Sequence, residues 1–117
     1  MWYPIRKHSI SKQPKNLEIL IVDLSTPEQT SSDLVDYIQE QVQKGHLYWV
    51  LNCQKLTRLD EELLANLLAI LKIIYEYEGT LKLCCLETDI LHMLHSLKLD
   101  ILFTLDSTEQ KSLKSFS

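Results

Sequence analysis

The chain has 117 residues, of which 45% are apolar and 24% charged, and a net charge of −4. That length can bury a core without metal or disulfide support, and that composition excludes a disordered chain. The acidic balance argues against nucleic acid as a partner, because a general binder needs a basic patch to neutralise phosphates; Lys7, Lys12 and Lys15 are interrupted by His8 and Ser9, and no arginine cluster follows.

Residues 1–16 are mixed in character and contain Pro4 and Pro14. An edge strand over Tyr3 to Ile10 fits them, because an edge tolerates proline. The opening MWYPIRKHSISK lacks the apolar core of an export signal, and no uninterrupted apolar run reaches the ~20 residues of a membrane span, so neither export nor membrane insertion is expected. Leu17 to Leu24 is apolar and rich in β-branched residues, which predicts a central strand. Residues 25–29 break it, Thr30 to Asp33 match a capping box, and Val35, Ile38 and Val42 follow at helical spacing until Gly45 offers a stop.

The stretch from Leu47 to Tyr77, LYWVLNCQKLTRLDEELLANLLAILKIIYEY, organises the rest. Leu47 to Cys53 reads as a second buried strand, and a short polar loop leads to a helix from about Asp60 to Tyr77. Leu63, Leu67, Ile70, Ile74 and Tyr77 form one row on it, with Leu64, Leu68, Leu71 and Tyr75 beside them, a wide apolar face suited to covering a sheet. The far side holds Glu61, Ala65, Ala69, Lys72 and Glu76, and its alanines leave a low surface continuous with the acidic first turn. Gly79 ends the helix, and Leu81, Leu83 and Cys85 alternate along a further strand. A helix over Thr88 to Leu97 should turn Leu91, Leu94 and Leu97 inward, a short strand should span Ile101 to Leu105, and Asp106 to Glu109 should start a last helix with Leu113 and Phe116 as contacts. Alternation of this kind predicts one α/β domain, with a mixed, mostly parallel sheet of four or five strands covered by about four helices.

Most catalytic patterns are missing. Phosphate-cradling loops need glycine, and the chain has only Gly45 and Gly79, neither between a strand and the helix it feeds. A phospho-acceptor receiver needs an acidic pair after its first parallel strand, whereas Asp23 has no acidic neighbour and Asn52 ends the next strand. His92 and His95 lie three apart on one short helix, which does not make a metal site by itself. The three cysteines show no CxxC spacing. Cys84 and Cys85 would point to opposite faces of a strand, and all three read as reduced, packed thiols of a cytoplasmic protein. Acid–base catalysis needs carboxylates in unlike environments, which Asp60, Glu61 and Glu62 on one exposed helix start do not provide. Asp60 serves as an N-cap or as the partner of Thr57 in a capping box, and Glu61 and Glu62 suit the positive end of the helix dipole.

The chain resembles a STAS domain, the fold of bacterial anti-sigma factor antagonists, over residues 17–116. Val50 to Cys53, Leu56 and Leu59-Asp60 are similar to the family's strand and the approach to its Asp-Ser-Ser/Thr-Gly-Leu signature, whose leucine is matched by Leu64. Gly79 to Leu83, Leu91 to Phe103 and Asp106 to Leu113 resemble the later elements. In the family, the serine after the aspartate is phosphorylated by a partner kinase that is also an anti-sigma factor, and this switches binding off. Here Glu61 replaces that serine, Glu62 the second hydroxyl residue and Leu63 the glycine. Glu61 supplies one charge where phosphoserine supplies ~1.5–2, and leucine in place of glycine favours the helix by roughly 1 kcal/mol.

The resemblance implies a non-enzymatic interaction module in bacterial signalling, without a cofactor or metal. Its protein partner would be an anti-sigma factor or a kinase-like protein, met through Thr57, Asp60, Glu61, Glu62, Ala65 and Ala69. A small STAS-like accessory subunit of a larger assembly, such as a lipid-transport ATPase, is the alternative. The apolar second helix is compatible with a homodimer, although packing on the sheet accounts for it.

Overall fold

Ile19, Leu20, Ile21 and Val22 are all buried although successive side chains point to opposite faces, so their strand is covered on both sides. The computed structural model describes residues 5–11, 16–24 and 32–116. Over them the elements run β1 (Ile5–Ile10), β2 (Leu17–Asp23), α1 (Ser32–Gln43), β3 (Tyr48–Asn52), α2 (Glu61–Glu76), β4 (Thr80–Cys84), α3 (Thr88–Ser96), β5 (Thr104–Asp106) and α4 (Glu109–Lys114). The strands form one sheet in the order β1-β2-β3-β4-β5. β1 is an antiparallel edge, and the remaining pairings are parallel. The mixed α/β architecture and the edge strand are those the sequence predicts; Thr30 and Ser31, which open the expected capping box, and the linker 25–29 fall outside the described residues, while Asp33 lies in the first turn of α1.

Parallel strands that follow one another in chain order, joined by crossovers of one hand, put every connecting helix on the same face. α1, α2 and α3 do share a core with Leu20, Trp49, Leu51 and Leu83. Trp49 is fully buried there, and its indole Nε1 donates to the His46 carbonyl at 2.8 Å, which satisfies the one polar atom of the ring. The opposite face presents Ile19, Ile21, Val50 and Cys84, and its apolar cover comes from Leu113 and Phe116 of the C-terminal segment, as predicted.

Packing revises the inward faces. On α1 the buried row is Leu34, Ile38 and Val42, with Val35 beside it. On α2 burial narrows to Leu63, Leu67, Ile70, Leu71 and Ile74, whereas Tyr75 and Tyr77 are 61% and 41% exposed. The sheet and α1 reach only one stripe of this helix. α3 buries Ile90 and Leu94, an i,i+4 pair, and leaves Leu91 and Leu97 exposed. The last strand is Thr104–Asp106 rather than Ile101 to Leu105, because Ile101 and Leu102 belong to a turn in which the Leu102 N–H reaches the Leu99 carbonyl at 3.0 Å. An apolar run without alternation cannot by itself be told from such a turn. Cys85 lies just beyond β4 at φ 61°, so it packs in the same cluster as Cys84 instead of opposing it.

Three helices end in the same way. Gly79 N–H reaches the Ile74 carbonyl at 2.8 Å and Glu78 N–H the Tyr75 carbonyl at 3.0 Å, the paired bonds of a Schellman motif. α3 repeats it with Leu99 to Leu94 and Lys98 to His95, and α1 with His46 to Gln41 and Gly45 to Val42. The left-handed residue is Gly45 in α1, but Glu78 and Lys98 in the other two. Gly79 is needed for a different reason: a Cβ there would meet the Leu47 carbonyl oxygen and approach Ile74 Cγ2 to 2.9 Å. Gly79→Ala should therefore lower the unfolding free energy in a urea titration by about 2 kcal/mol. Glu78→Gly, which relieves a φ of 60°, should raise it by about 0.5 kcal/mol.

Candidate functional site

The loop from β3 to α2 is fixed at both ends. The Asn52 side chain accepts the Gln54 N–H at 2.9 Å, Cys53 N–H donates to the Cys84 carbonyl at 2.9 Å, and Leu56 N–H to the Cys53 carbonyl at 3.0 Å. Leu56 and Leu59 are buried as anchors, and between them Thr57 and Arg58 are exposed. Asp60, extended at φ −101° and ψ 175°, accepts the Leu63 N–H on its Oδ1 at 2.8 Å. Of the two roles open to it from sequence, this is the N-cap.

Glu61 and Glu62 then occupy the first turn of α2, exposed and in no ion pair with a described residue. The dipole favours each by ~0.3–1 kcal/mol. Ala65 is exposed one turn further on, and Ala69 is partly buried. Asp60, Glu61, Glu62 and Ala65 therefore share the exposed beginning of one helix, with Thr57 on the loop before it and Ala69 more recessed. Their arrangement presents charge beside a surface of little side-chain bulk.

A second polar constellation escaped the sequence reading. In-register pairing sets Asp23, Asn52, Cys84 and Asp106 in one row at the carboxyl ends of the parallel strands. Ligands of open α/β sheets often sit beyond such ends, but here α4 meets the row. The Arg6 guanidinium clamps Asp23 through two bonds of 2.7 and 2.8 Å and also binds Glu109, whose other contact is the Asn52 amide at 2.9 Å. Ser112, fully buried, donates to Asp106 at 2.7 Å. Lys82, also buried, donates to the Ser115 hydroxyl and lies 4.2 Å from the centre of the Phe116 ring. Hydrogen bonds from Arg6, and then from Asn52, hold the Glu109 carboxyl below its ordinary range, and burial depresses the Lys82 ammonium. Only strand alternation hinted at this: Ile19, Ile21 and Asp23 fall on one face, but the link from Arg6 to Glu109 spans 103 positions.

The cysteines are free thiols. Burial pushes Cys53 up to about 12 and raises Cys84 as well, so neither is a thiolate near neutrality. His95 Nδ1 lies 2.9 Å from Asp100, His92 is exposed, and no group of three metal-ligating side chains is assembled among the described residues. No helix among them is long and apolar enough to cross a membrane.

A family model described as STAS domain matches residues 11–112. No curated protein matches the sequence. Among solved structures, the chain is similar to a Thermotoga maritima protein assigned as an anti-sigma factor antagonist, with a TM-score of 0.75 at 15% identity over 97% of this chain and 92% of that one. It is similar to an anti-sigma factor antagonist (STAS) domain protein from Planctomyces limnophilus, with a TM-score of 0.70 at 13% identity over 95% and 96% of the two chains. It is also similar to the Bacillus cell fate determinant SpoIIAA in its phosphorylated form, with a TM-score of 0.68 at 10% identity over 97% and 100%.

The clamp on Glu109 has a pH signature. A carboxyl held below its unfolded value contributes stability that is present above that value and lost as pH falls through the folded one. Unfolding free energy should decline as pH drops below the ordinary value of 4.5. Glu109→Gln should flatten this part of the decline and cost about 1 kcal/mol at neutral pH, a small figure because solvent screens the half-exposed Arg6. Urea titrations of both proteins across pH 3 to 7 check it.

Proposed function

The chain belongs to the STAS domain family, and on that premise we propose that it is a non-enzymatic interaction module of bacterial signalling, working in partner switching as an anti-sigma factor antagonist does. The supporting observation is the first turn of α2. Asp60 is occupied in capping, which leaves Glu61 and Glu62 as exposed carboxylates with no cation of the described residues to neutralise them. A partner with a basic surface, such as an anti-sigma factor or a kinase-like protein in the cytoplasm, fits against them. Thr57 lies on the approach to this surface, and Ala65 and Ala69 extend it along the helix with little side-chain bulk.

SpoIIAA has been solved in phosphorylated and unphosphorylated forms. In this chain Glu61 stands at the position matched to the family's signature serine, so the turn is permanently charged and has no hydroxyl to modify. Leu63, buried where the family has glycine, stiffens the same turn. The interaction is then constitutive at this position, and its regulation lies elsewhere, in the abundance of the two proteins or in the partner.

Affinity purification of the tagged protein should capture one dominant partner, and Glu61→Lys/Glu62→Lys should weaken that binding about tenfold or more, because reversed charges meet the same surface. A partner retained equally by both would move the binding surface away from the acidic turn. Incubation with an anti-sigma factor kinase and ATP should leave residues 57–62 unmodified in peptide mass spectra, whereas Glu61→Ser should gain a phosphate. Phosphate on Thr57 of the unsubstituted protein would overturn the constitutive reading.

A further inference from the structure

The other end of α2 carries a second surface. Leu68, Leu71 and Tyr75, together with Leu102 from the turn after α3, line an open groove with Lys72 and Glu76 at its side. Tyr75 is 61% exposed, Leu102 44% and the adjacent Ile101 81%. Large apolar side chains gathered on one helix end and one neighbouring turn mark contact material rather than scattered surface residues.

The two charges beside the groove are informative. Lys72 and Glu76 are four residues apart, as are Glu40 and Lys44 on α1, where the pair closes at 3.2 Å. The α2 pair makes no ion pair with each other or with any described residue. The difference follows orientation: glutamate N-terminal to lysine is the favourable order on a helix, and α2 has the reverse. Two opposite charges are thus left unmatched beside an apolar recess.

We propose that this face associates with a second copy of the chain about a two-fold axis, with α2 antiparallel to its counterpart. An isologous contact requires a patch complementary to itself. An axis crossing α2 between Lys72 and Glu76 sets each lysine against the partner's Glu76, and both charges are matched at once. Shape follows the same logic, since the face that holds the recess also supplies the projecting Tyr75 and Ile101. A partner of one charge sign would leave either Lys72 or Glu76 facing its like. The contact uses the last turns of one helix and a single turn, so the dimer is weak, with a Kd of about micromolar or higher. The acidic first turn lies at the far end of α2 and takes no part.

Sedimentation velocity of the full chain over a concentration series tests this. The expected result is a dimer fraction that rises with concentration and falls with added salt. Lys72→Glu and Glu76→Lys should each weaken association about tenfold, because like charges then meet across the axis, and the Lys72→Glu/Glu76→Lys double variant should restore it. Ile101→Asp, at an exposed position, should abolish dimers while leaving the thermal midpoint unchanged. A single-chain mass at every concentration up to about 1 mM would overturn the proposal. So would a dimer indifferent to both charge reversals, or single reversals that the double variant fails to rescue.

Discussion

A sheet built in chain order imposes an asymmetry on everything packed around it. Each crossover from β2 to β5 advances one strand in the same direction, so α1, α2 and α3 all descend on one face. The other face still has Ile19, Ile21, Val50 and Cys84 to cover, and among the described helices the six-residue α4, with the turn after it, takes on the task. So short a helix buries little apolar area, and it is held by bonds at points along its length instead. Glu109 ties it to Arg6 and Asn52, Ser112 to Asp106, and the Lys82 ammonium to Ser115 and the Phe116 ring. The row of polar strand ends that a larger α/β protein would turn toward a ligand is here used to seat the C-terminal helix.

The same asymmetry sets which parts of α2 remain exposed. α2 spans the crowded face, with its middle fixed by Leu67 and Ile70 and its two ends in different company. At its start, the anchored loop with Leu56 and Leu59 beneath it presents an acidic turn whose backbone is already capped. At its end, a Schellman turn through Glu78 and Gly79 brings the chain directly into β4, leaving Tyr75 and Tyr77 outside the core. One helix thus offers a charged surface and an apolar one, separated by its own length. Cys53, the residue that leaves β3, is a buried thiol that burial pushes up to about 12, so it is not a thiolate near neutrality.

Much of the candidate surface was legible in the residues, because a capped helix start is a local feature. Asp60 needed only its neighbours to be recognised, and Glu61 and Glu62 follow from the dipole they sit on. Inward faces were less legible. Leu91 and Leu97 had the same helical spacing as the residues that are buried, and only the tilt of α3 against the sheet selects Ile90 and Leu94. Ile101 and Leu102 belong to an apolar run that suggested a strand, yet the capping of α3 places them in a turn at the surface. Local pattern could not distinguish these outcomes, since the distinction depends on what lies opposite.

Sequence alone determined the α/β class, the order of elements, the apolar central strands and the acidic start of α2. All of these rest on periodicity and on interactions within a few positions of the chain. Tertiary structure decided which stripe of each helix is buried, that Cys84 and Cys85 pack together, and that Arg6 meets Glu109 across nearly the whole chain. It also decided that Lys72 and Glu76, beside an exposed apolar groove, pair with none of the described residues. These outcomes depend on strand register and on the packing of helices against the sheet, which bring together residues whose separation along the chain carries no local signal.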